Sequence, residues 1–402
     1  MNTPLTTDHA RQSWIIAGLA VTVVLVSSCS SSKTAAGGGS SSAAPATASS
    51  ASSTAASTPS ASGSSPAASA SAAGNSAIDV LAKAMAPRST WNGPTSAPKP
   101  LTGKTIGIVP CGLAIEGCAR EANGAAEAAK TLGWTPIVVD GLGTPQGAQQ
   151  AIDSLLNRHV DGIIIPSVNA GDVGSQLARA KAEKVPVIAT FASDPTSAGG
   201  TGVVNIDDLQ AGRALAAYVS VNGAGNVVLF TQNQAPAVAA RAAGFKAGLA
   251  EFGNVAKISD EQSLANTQIG APEQQLMSAI LQRRAKGQIQ WVFAGFDFML
   301  SPLITVAQQA GRTEIKGLSF DGNKQNLEQL RNGETQNALI GYPLEWAGWG
   351  AIDDLNRVLQ GQPLVPQGVD FRLLTKDNLP PAGQSYTGDL DYKKHYLSIW
   401  GK

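Results

Sequence analysis

Residues that carry metal and redox chemistry are scarce in this sequence, which has three cysteines and three histidines among 402 residues. The histidines lie near the N-terminus (His9), beside a predicted strand (His159) and near the C-terminus (His395). Neither a Gly-x-Ser-x-Gly elbow nor a His-Glu-x-x-His motif occurs, and no carboxylates are assembled for acid–base catalysis. We therefore expect a protein that is not an enzyme and needs neither a cofactor nor a metal ion.

Charged and aromatic residues are also limited. The 29 basic residues balance the 29 acidic ones, for a formal net charge of +0. Because no excess of positive charge is available for a polyanion, we expect no nucleic-acid partner. Aromatic residues make up 5% of the chain, so an aromatic side chain in a loop stands out as a candidate for ligand contact.

No hydrophobic run is long enough to span a bilayer. The apolar stretch at residues 14–26 follows Arg11 and has only thirteen residues, too few for a helix to cross a hydrocarbon core of ~30 Å. Such a run is typical of a signal peptide, which we predict at residues 1–28. The sequence Val-Ser-Ser-Cys ending at Cys29 resembles a bacterial lipobox, which implies a lipidated Cys29 and an extracytoplasmic protein anchored to the cell membrane. Alternatively, Cys29 is a free thiol on an ordinary secretory peptide; both alternatives predict export and permit disulfides.

A low-complexity region follows Cys29. From residue 30 to about residue 76, nearly every residue is Ser, Ala, Gly, Thr or Pro, which leaves little apolar surface to offset the entropy of ordering. We predict a lipidated cysteine followed by a disordered tether over residues 29–100. Its flexible part has a reach of roughly 35 to 40 Å, enough to hold a domain clear of a lipid surface.

The rest of the chain alternates short β-branched runs with Ala-rich helical stretches. The runs "KTIGIV", "TPIVVD", "VDGIIIPS" and "VPVIAT" predict strands buried on both faces, because Ile and Val are continuous and do not alternate with polar residues. The same rhythm begins again at "GNVVLF" and continues to "QNALIGY". This pattern predicts an α/β protein with two lobes, each built on a parallel sheet, and a ligand site between them.

Several segments in this order and spacing resemble the type I periplasmic sugar-binding proteins, the ribose-binding-like group that serves ABC importers. They include "VDGIIIPSVN", "VVNIDDLQAGRALAAYV", "AARAAGFKAGLAEF" and "GLSFDGNKQNLEQLRNGETQNALIGYPLEW", and the resemblance extends over most of residues 104–378. It implies two Rossmann-like lobes, a hinge of three crossings near residues 205–208, Pro343 and Leu374, and a cleft that closes on a small ligand. The implied N-terminal lobe comprises residues 103–206 with 343–373, and the C-terminal lobe residues 207–342 with 374–402. The implied partners are a small-molecule ligand and an ABC permease, with the membrane reached through the lipid anchor and the protein itself a monomer.

The resemblance also implies ligand-binding positions. Arg241 falls where the family has an arginine that binds ligand hydroxyls, and its guanidinium offers five donors in a fixed arrangement. Asp321 falls where an aspartate accepts hydrogen bonds from the ligand, and Asp208 matches a position in the segment between the lobes. The alternatives are an exposed arginine at a helix start for Arg241 and a cap on the helix beginning near Asn326 for Asp321.

Three positions depart from the family pattern. Phe191 and Ala192 replace an expected aspartate, with Asp194 displaced; Phe296 precedes Asp297 where an Asn-Asp pair is usual; and Gly341 with Tyr342 replaces a glutamine. Since each unpaired hydroxyl costs ~1 to 3 kcal/mol on desolvation, these losses weaken the case for a monosaccharide. Aromatic faces suit a pyranose ring, a base or another cyclic molecule. The candidate ligand-binding residues are Arg241, Asp321, Asp208, Phe191, Phe296, Asp297, Tyr342 and Glu116, with Trp346 as a further aromatic candidate.

Two cysteines stand close together in "IVPCGLAIEGCARE", at residues 108–121. A structural zinc site needs four ligands, and no other Cys or nearby His accompanies Cys111 and Cys118. Their spacing also differs from the Cys-x-x-Cys of thioredoxin-like proteins. A structural disulfide and a pair of packed free thiols remain. The same loop carries Leu113, Ile115 and Glu116, which we expect to face the ligand.

A sensory role is the main alternative to import, because the same fold can present its ligand to a signalling receptor. A transcriptional regulator is excluded by the export signal and the lack of an N-terminal DNA-binding module. A purely structural surface protein would not require an arginine and an aspartate in register at converging loops.

Overall fold

We describe the protein with a computed structural model that covers residues 66–402. The predicted signal peptide at residues 1–28, the lipidation site Cys29 and the tether up to residue 65 lie outside the described residues. Within the described part, none of the helices combines the length and apolar character that a membrane span requires.

The C-terminal part of the predicted tether is ordered. Helix α1 spans Pro66–Met85, and its Ala77 and Ala84 are buried, with Leu81 packed against the same hydrophobic cluster. Alanine favours helix, and these residues form a stripe at spacings of three and four that docks on the helix at Asp208–Asn222. The prediction of a disordered tether is therefore wrong from residue 66 to residue 100, because the small residues that suggested disorder also permit close helix packing.

The first lobe contains a parallel five-stranded sheet in the order β2-β1-β3-β4-β5. Helices from the intervening segments cover it, as expected for βαβ units with continuous apolar strands. The elements are β1 (Thr105–Ile108), α2 (Glu116–Leu132), β2 (Thr135–Val138), α3 (Pro145–Asn157), β3 (Gly162–Pro166), α4 (Gly174–Ala182), β4 (Val187–Thr190) and β5 (Gly202–Val204).

The second lobe contains a six-stranded sheet in the order β11-β10-β9-β8-β6-β7, parallel except for β11, which is antiparallel to β10. Its elements are α5 (Asp208–Asn222), β6 (Gly225–Thr231), α6 (Pro236–Glu251), β7 (Ala256–Ser263), α7 (Ala271–Arg283), β8 (Trp291–Ala294), α8 (Asp297–Gln309), β9 (Lys316–Asp321), α9 (Lys324–Arg331), β10 (Gln336–Gly341) and β11 (Arg372–Leu374).

Burial of the strands follows their position in the sheet. Every residue of β3, β4 and β8 is buried, as the continuous apolar runs predict. Strand β2 is different, because its four residues are exposed or half-buried. The prediction that "TPIVVD" is buried on both faces is therefore wrong, since β2 lies at the edge of its sheet.

The chain passes between the lobes at several points. It leaves the first sheet after β5, and after β10 it returns as helix α10 (Leu344–Val358), which packs on α2; strand β11 then rejoins the second sheet. The last helix, α11 (Tyr392–Trp400), packs back on α10, with Trp400 stacked on Trp349 at a ring-centroid distance of 5.3 Å. The assignment of all residues 374–402 to the second lobe is therefore wrong for α11, because its aromatic side chains complete a cluster on the first lobe.

An extended segment at residues 86–104, which we name the N-terminal strap, joins α1 to β1. The Trp91 ring stacks on Trp346 at 5.1 Å and on His395 at 4.2 Å between ring centroids. Nearer to β1, the indole nitrogen of Trp134 donates a hydrogen bond of 2.7 Å to the Leu101 carbonyl. Trp134 itself is buried. The strap thus packs on the first lobe, whereas α1 packs on α5 of the second.

Candidate functional site

A cavity lies between the two lobes, at the carboxyl ends of the parallel strands. Its volume is about 80 Å³. Because a single buried water needs roughly 10 to 15 Å³, this space holds on the order of six waters, the scale of a small polyol or monosaccharide. The first lobe contributes Cys111, Ile115, Gly117, Cys118, Glu121, Ser167, Asn169 and Phe191 to its walls, and the second contributes Gln232, Val238, Arg241, Asn266, Phe296 and Asp321.

Arg241 is held in the wall by contacts on several sides. Its Nε donates to Asp208 Oδ1 at 2.9 Å, and one terminal nitrogen donates to the Gly295 carbonyl at 2.9 Å. The same terminal nitrogen lies 3.8 Å from Asp321 Oδ1, and the guanidinium sits 4.8 Å from the centre of the Tyr342 ring. Arg241 is only 5% exposed, so the alternative of an exposed arginine at a helix start does not hold.

Asp321 ends strand β9 and faces the cavity. Its φ of 109° is one that few residues other than glycine adopt. Burial raises the pKa of its carboxyl to about 6, although Arg241 and Arg120 favour the charged form. Helix α9 begins at Lys324 with Asn323 as its N-cap residue, so Asp321 does not cap that helix.

Asp208 and Tyr342 lie behind Arg241 and outside the cavity wall. The Tyr342 hydroxyl donates to Asp208 Oδ1 at 3.0 Å, and its ring stacks on Phe191 at a centroid distance of 5.2 Å. Burial raises the pKa of Asp208, against the influence of the Arg241 charge. Both residues were expected to contact the ligand directly; the structure places them against Arg241 and Phe191 instead, and they are not among the residues that line the cavity.

The two predicted phenylalanines both line the cavity. Phe191 follows β4 and Phe296 immediately precedes α8, one on each lobe. Trp346, the further aromatic candidate, does not line the cavity. Helix α10 places the Trp346 ring on the side away from the cavity, where it is buried between the rings of Trp91 in the strap and Tyr392.

Asp297 and Glu116, which were also expected to contact the ligand, lie outside the cavity wall. Asp297 is fully buried and accepts hydrogen bonds from the Ser319 hydroxyl and the Asn323 backbone nitrogen, so it supports the loop after β9. Burial, with the nearby Asp321, raises its pKa well above the usual range. Glu116 lies at the rim, where its Oε1 accepts from the Lys324 backbone nitrogen at 3.4 Å. In the same loop, Leu113 is exposed, whereas Ile115 lines the cavity.

Glu121 is a cavity residue that sequence reasoning missed. The Ser167 hydroxyl donates to its Oε1 at 2.6 Å, and the Thr190 hydroxyl donates to its Oε2. Burial raises the pKa of the Glu121 carboxyl to about 8. A glutamate within an Ala-rich helix usually faces solvent, but Glu121 follows Cys118 by three residues and precedes the buried Ala125 by four. That register places it on the buried face of α2.

Arg120 was also missed, and it links the lobes. It donates from Nε to Glu345 Oε1 at 2.8 Å within the first lobe. Its terminal nitrogens donate to Asn323 Oδ1 at 2.9 Å and to the Tyr386 carbonyl at 2.6 Å, both next to the second sheet. A further contact between the lobes joins Asn169 Nδ2 to the Gln234 carbonyl at 3.0 Å. The lobes are therefore closed over the cavity.

A disulfide joins Cys111 and Cys118, with 5.8 Å between their Cα atoms, so the predicted disulfide is confirmed. Both cysteines belong to the cavity wall, and the bridge fixes the loop between β1 and α2 against it. In residues 66–402, no group of three or more His, Cys, Asp or Glu side chains is placed to hold a metal ion.

Known proteins share this architecture. Residues 106–363 match the sequence family described as the periplasmic binding protein domain. The ribose import binding protein RbsB of Salmonella typhimurium is 24% identical over 258 residues, which cover 63% of this chain and 84% of that protein. The xylitol-binding protein of Mycolicibacterium smegmatis is 28% identical over 189 residues, 46% of this chain and 52% of that protein.

A solved structure gives the same result. The ABC transporter solute-binding protein of Mycobacterium smegmatis with bound glycerol superimposes with a TM-score of 0.63 at 20% identity, covering 71% of this chain and 99% of that one. The structure has two α/β lobes that close on a cavity, and the family match covers most of the described residues. The chain belongs to the periplasmic binding protein domain family and has its type I fold.

Proposed function

We propose that this protein captures a small sugar or polyol outside the cytoplasm by closing its two lobes on it, and delivers it to the permease of an ABC importer. The observation that carries the proposal is the cavity between the lobes, in which Arg241 and Asp321 of one lobe and Glu121 and Ser167 of the other line the same space. A ligand that contacts both walls favours the closed arrangement over the open one, which is how binding energy drives closure.

The polar groups of the wall suit hydroxyls. Arg241 supplies hydrogen-bond donors, while Asp321 and Glu121 supply acceptors. The hydroxyls of a polyol can therefore both accept and donate hydrogen bonds at this wall. Phe191 and Phe296 add apolar surface, which suits the carbon face of a ring or an extended polyol. The relatives named for ribose and xylitol, and the similar structure with bound glycerol, support a ligand of this size and class.

The direct test is a binding screen on the chain from residue 30, which omits only the predicted signal peptide and lipidation site. Thermal shift and calorimetry with ribose, xylitol, glycerol and their stereoisomers should identify at least one compound that raises the melting temperature. A ligand at 100 times its Kd stabilises the folded state by about 2.7 kcal/mol, a readily measured shift. If no sugar or polyol bound at millimolar concentration, the proposal would fail.

A variant at Arg241 tests the site itself. Arg241→Ala removes the donors and leaves Asp208 and Asp321 without their cation, so the affinity for the identified ligand should fall at least about 100-fold. Arg213→Ala is the matched control, because Arg213 pairs with Glu251 on the outer surface of the same lobe. Equal affinity of the Arg241 and Arg213 variants would place the ligand elsewhere.

We further infer that Cys29 anchors the protein to the membrane, on the basis of the apolar run at residues 14–26 and the lipobox-like Val-Ser-Ser-Cys. The full chain should partition with membranes and incorporate labelled palmitate, whereas Cys29→Ala should do neither. Ser32→Ala serves as the control, since it alters the region after the cysteine without removing the thiol. Membrane partition of Cys29→Ala would contradict the anchor.

Delivery to a permease has its own test. Genes for a permease and an ATPase beside this one, and loss of uptake of the radiolabelled ligand when this gene is deleted, are the expected results. Unchanged uptake in the deletion strain would contradict a role in import without affecting the binding assignment.

A further inference from the structure

The cavity holds more acidic groups than basic ones. Glu121 of the first lobe and Asp321 of the second both line it, while Arg241 is the only arginine or lysine among the residues of its wall. Arg241 is shared, since its Nε contacts Asp208 at 2.9 Å and a terminal nitrogen lies 3.8 Å from Asp321. Counting Arg241 with Asp208 as a neutral pair leaves two carboxyls without a full positive partner.

Within residues 66–402, Glu121 forms no ion pair with a cation of the first lobe, and its side-chain partners there are hydroxyls. The loops after β3 and at the end of β4 offer it only the hydroxyls of Ser167 and Thr190. Arg120, its neighbour on α2, is bonded through two nitrogens to Glu345 of α10, at 2.8 and 2.9 Å. From the second lobe, the charged groups acting on Glu121 are Asp321, which opposes its ionisation, and Arg241, which favours it.

Burial strengthens the electrostatic interaction between the two carboxyls. Glu121 is 1% exposed and Asp321 6% exposed, so water cannot screen the two carboxyls from each other or from a ligand. A buried carboxyl without a cation keeps its proton, and the pKa of about 8 for Glu121 agrees with this. A ligand that brings a positive charge would oppose the effect of burial and favour the ionised carboxylate of Glu121.

The aromatic side chains point to the same chemistry. Phe191 and Phe296 line the cavity from opposite lobes. The face of an aromatic ring attracts a cation by about 0.5 to 2 kcal/mol, and more strongly where water is excluded. Two carboxyls and two aromatic rings around one small space form an environment suited to an ammonium group.

We propose that the cavity selects a sugar or polyol bearing a protonated amino group, and that Glu121 is the residue that determines this preference. The ammonium lies between Glu121 and Asp321, and the hydroxyls of the ligand meet Arg241. On binding, Glu121 gives up its proton to solvent, and its carboxylate pairs with the ammonium, so charge and atoms balance. This inference rests on the proposed function and narrows its ligand class.

Matched pairs of compounds test the preference. Calorimetry at pH 7 compares 1-amino-1-deoxy-sorbitol with sorbitol, glucosamine with glucose, and galactosamine with galactose. In at least one pair, the amine should bind 10-fold or more tightly than its neutral parent. If neutral sugars or polyols bind and no amine exceeds its parent, the inference is overturned while the proposed function stands. If neither these pairs nor ribose, xylitol or glycerol bind, both fail.

Proton release provides a readout that a purely structural role for Glu121 would not produce. Calorimetric titration of the tightest-binding amine in phosphate and in MOPS at pH 7, two buffers that differ in ionisation enthalpy, should show close to one proton released per amine bound. Glu121→Gln, which has nearly the same shape, should abolish the release and the preference for the amine. Glu127→Gln is the control, because Glu127 is exposed on the same helix and pairs with Lys393. Proton release that persists in Glu121→Gln would overturn the assignment of Glu121.

Discussion

Backbone strain at single residues coincides with the cleft. Seven residues other than glycine have a positive φ in the described part of the chain, and Ser167, Phe191 and Asp321, with φ of 51°, 44° and 109°, all line the cavity. Each follows or ends a central strand, β3, β4 or β9. Such conformations cost about 1 to 3 kcal/mol each and persist where the surrounding structure enforces them. The walls of the cavity are therefore formed in part by strained backbone.

Ser167 offers a measurement of this strain. Ser167→Gly should be more stable to urea than Ser167→Ala by about 1 kcal/mol, because both lose the hydroxyl but only glycine relieves the positive φ. At Ala178, an exposed residue of α4, the protein with alanine should instead be more stable than the glycine variant, because replacing Ala by Gly within a helix costs about 1 kcal/mol. Equal stability of the two Ser167 variants would show that the φ is not strained.

The Glu121 carboxyl also predicts a dependence of stability on pH. Its pKa is raised from 4.5 to about 8 by burial in the folded state, so the unfolded chain loses this proton first as pH rises. The contribution of Glu121 to the free energy of unfolding therefore falls between about pH 4.5 and pH 8 and is constant above that range. Glu121→Gln should show a shallower decline over this window in urea unfolding.

Part of that decline should remain in the variant. The carboxyls of Glu273 and Asp354, whose pKa values burial raises to about 8 and about 7, contribute in the same direction. Parallel curves for the wild type and Glu121→Gln would mean that Glu121 is ionised in the folded protein at neutral pH.

Among the elements, the N-terminal strap, like helix α1 before it, was not foreseen by sequence reasoning. Its composition resembles the tether before it, and the contacts that order it come from residues distant in sequence, such as Trp346 and His395. By contrast, the strands and helices of the two lobes were predictable, because continuous Ile and Val runs and apolar stripes are local signals. Arg241 and Asp321 were named through the family resemblance, whereas the position of Glu121 depends on packing between α2 and two strands.

Trp91 anchors the strap. Trp91→Ala should lower the free energy of unfolding by about 2 to 3 kcal/mol, below the range for a fully buried tryptophan because this side chain is half-buried. Trp91→Phe retains an aromatic ring and should recover much of the loss. Urea denaturation followed by circular dichroism measures both. A loss under 0.5 kcal/mol for the alanine variant would mean that the strap contributes little to the stability of the first lobe.

At the scale of the molecule, closure depends on contacts outside the cavity as well as within it. Arg120 joins α2 to the loop after β9 and to Tyr386, so opening must break several charge-assisted hydrogen bonds. The two-lobed architecture followed from the repeated strand–helix pattern of the sequence. The closing contacts did not, because Arg120 bonds backbone carbonyls about which the sequence carries no signal.

Replacement of Arg120 therefore tests closure. Arg120→Lys keeps the charge beside Glu345 but cannot reproduce the planar set of donors. It should increase the radius of gyration measured by small-angle scattering without ligand, and weaken ligand binding by about 3- to 30-fold, because a smaller fraction of molecules is closed. Arg179→Lys, on the surface of the first lobe, is the control. An unchanged radius together with unchanged affinity would show that Arg120 does not hold the lobes together.

The contacts of the strap can form only late in the synthesis of the chain. Arg88 of the strap donates to Asp389, and 301 residues separate the two along the chain. At roughly 5 to 20 residues per second, the ribosome makes the strap about 15 to 60 s before it makes the partner of that hydrogen bond. Until then, the indole of Trp91 has no His395 on which to stack. A nascent chain arrested before α11 would thus carry its two sheets but lack this stack, so the domain completes its folding only when its last residues have been synthesised.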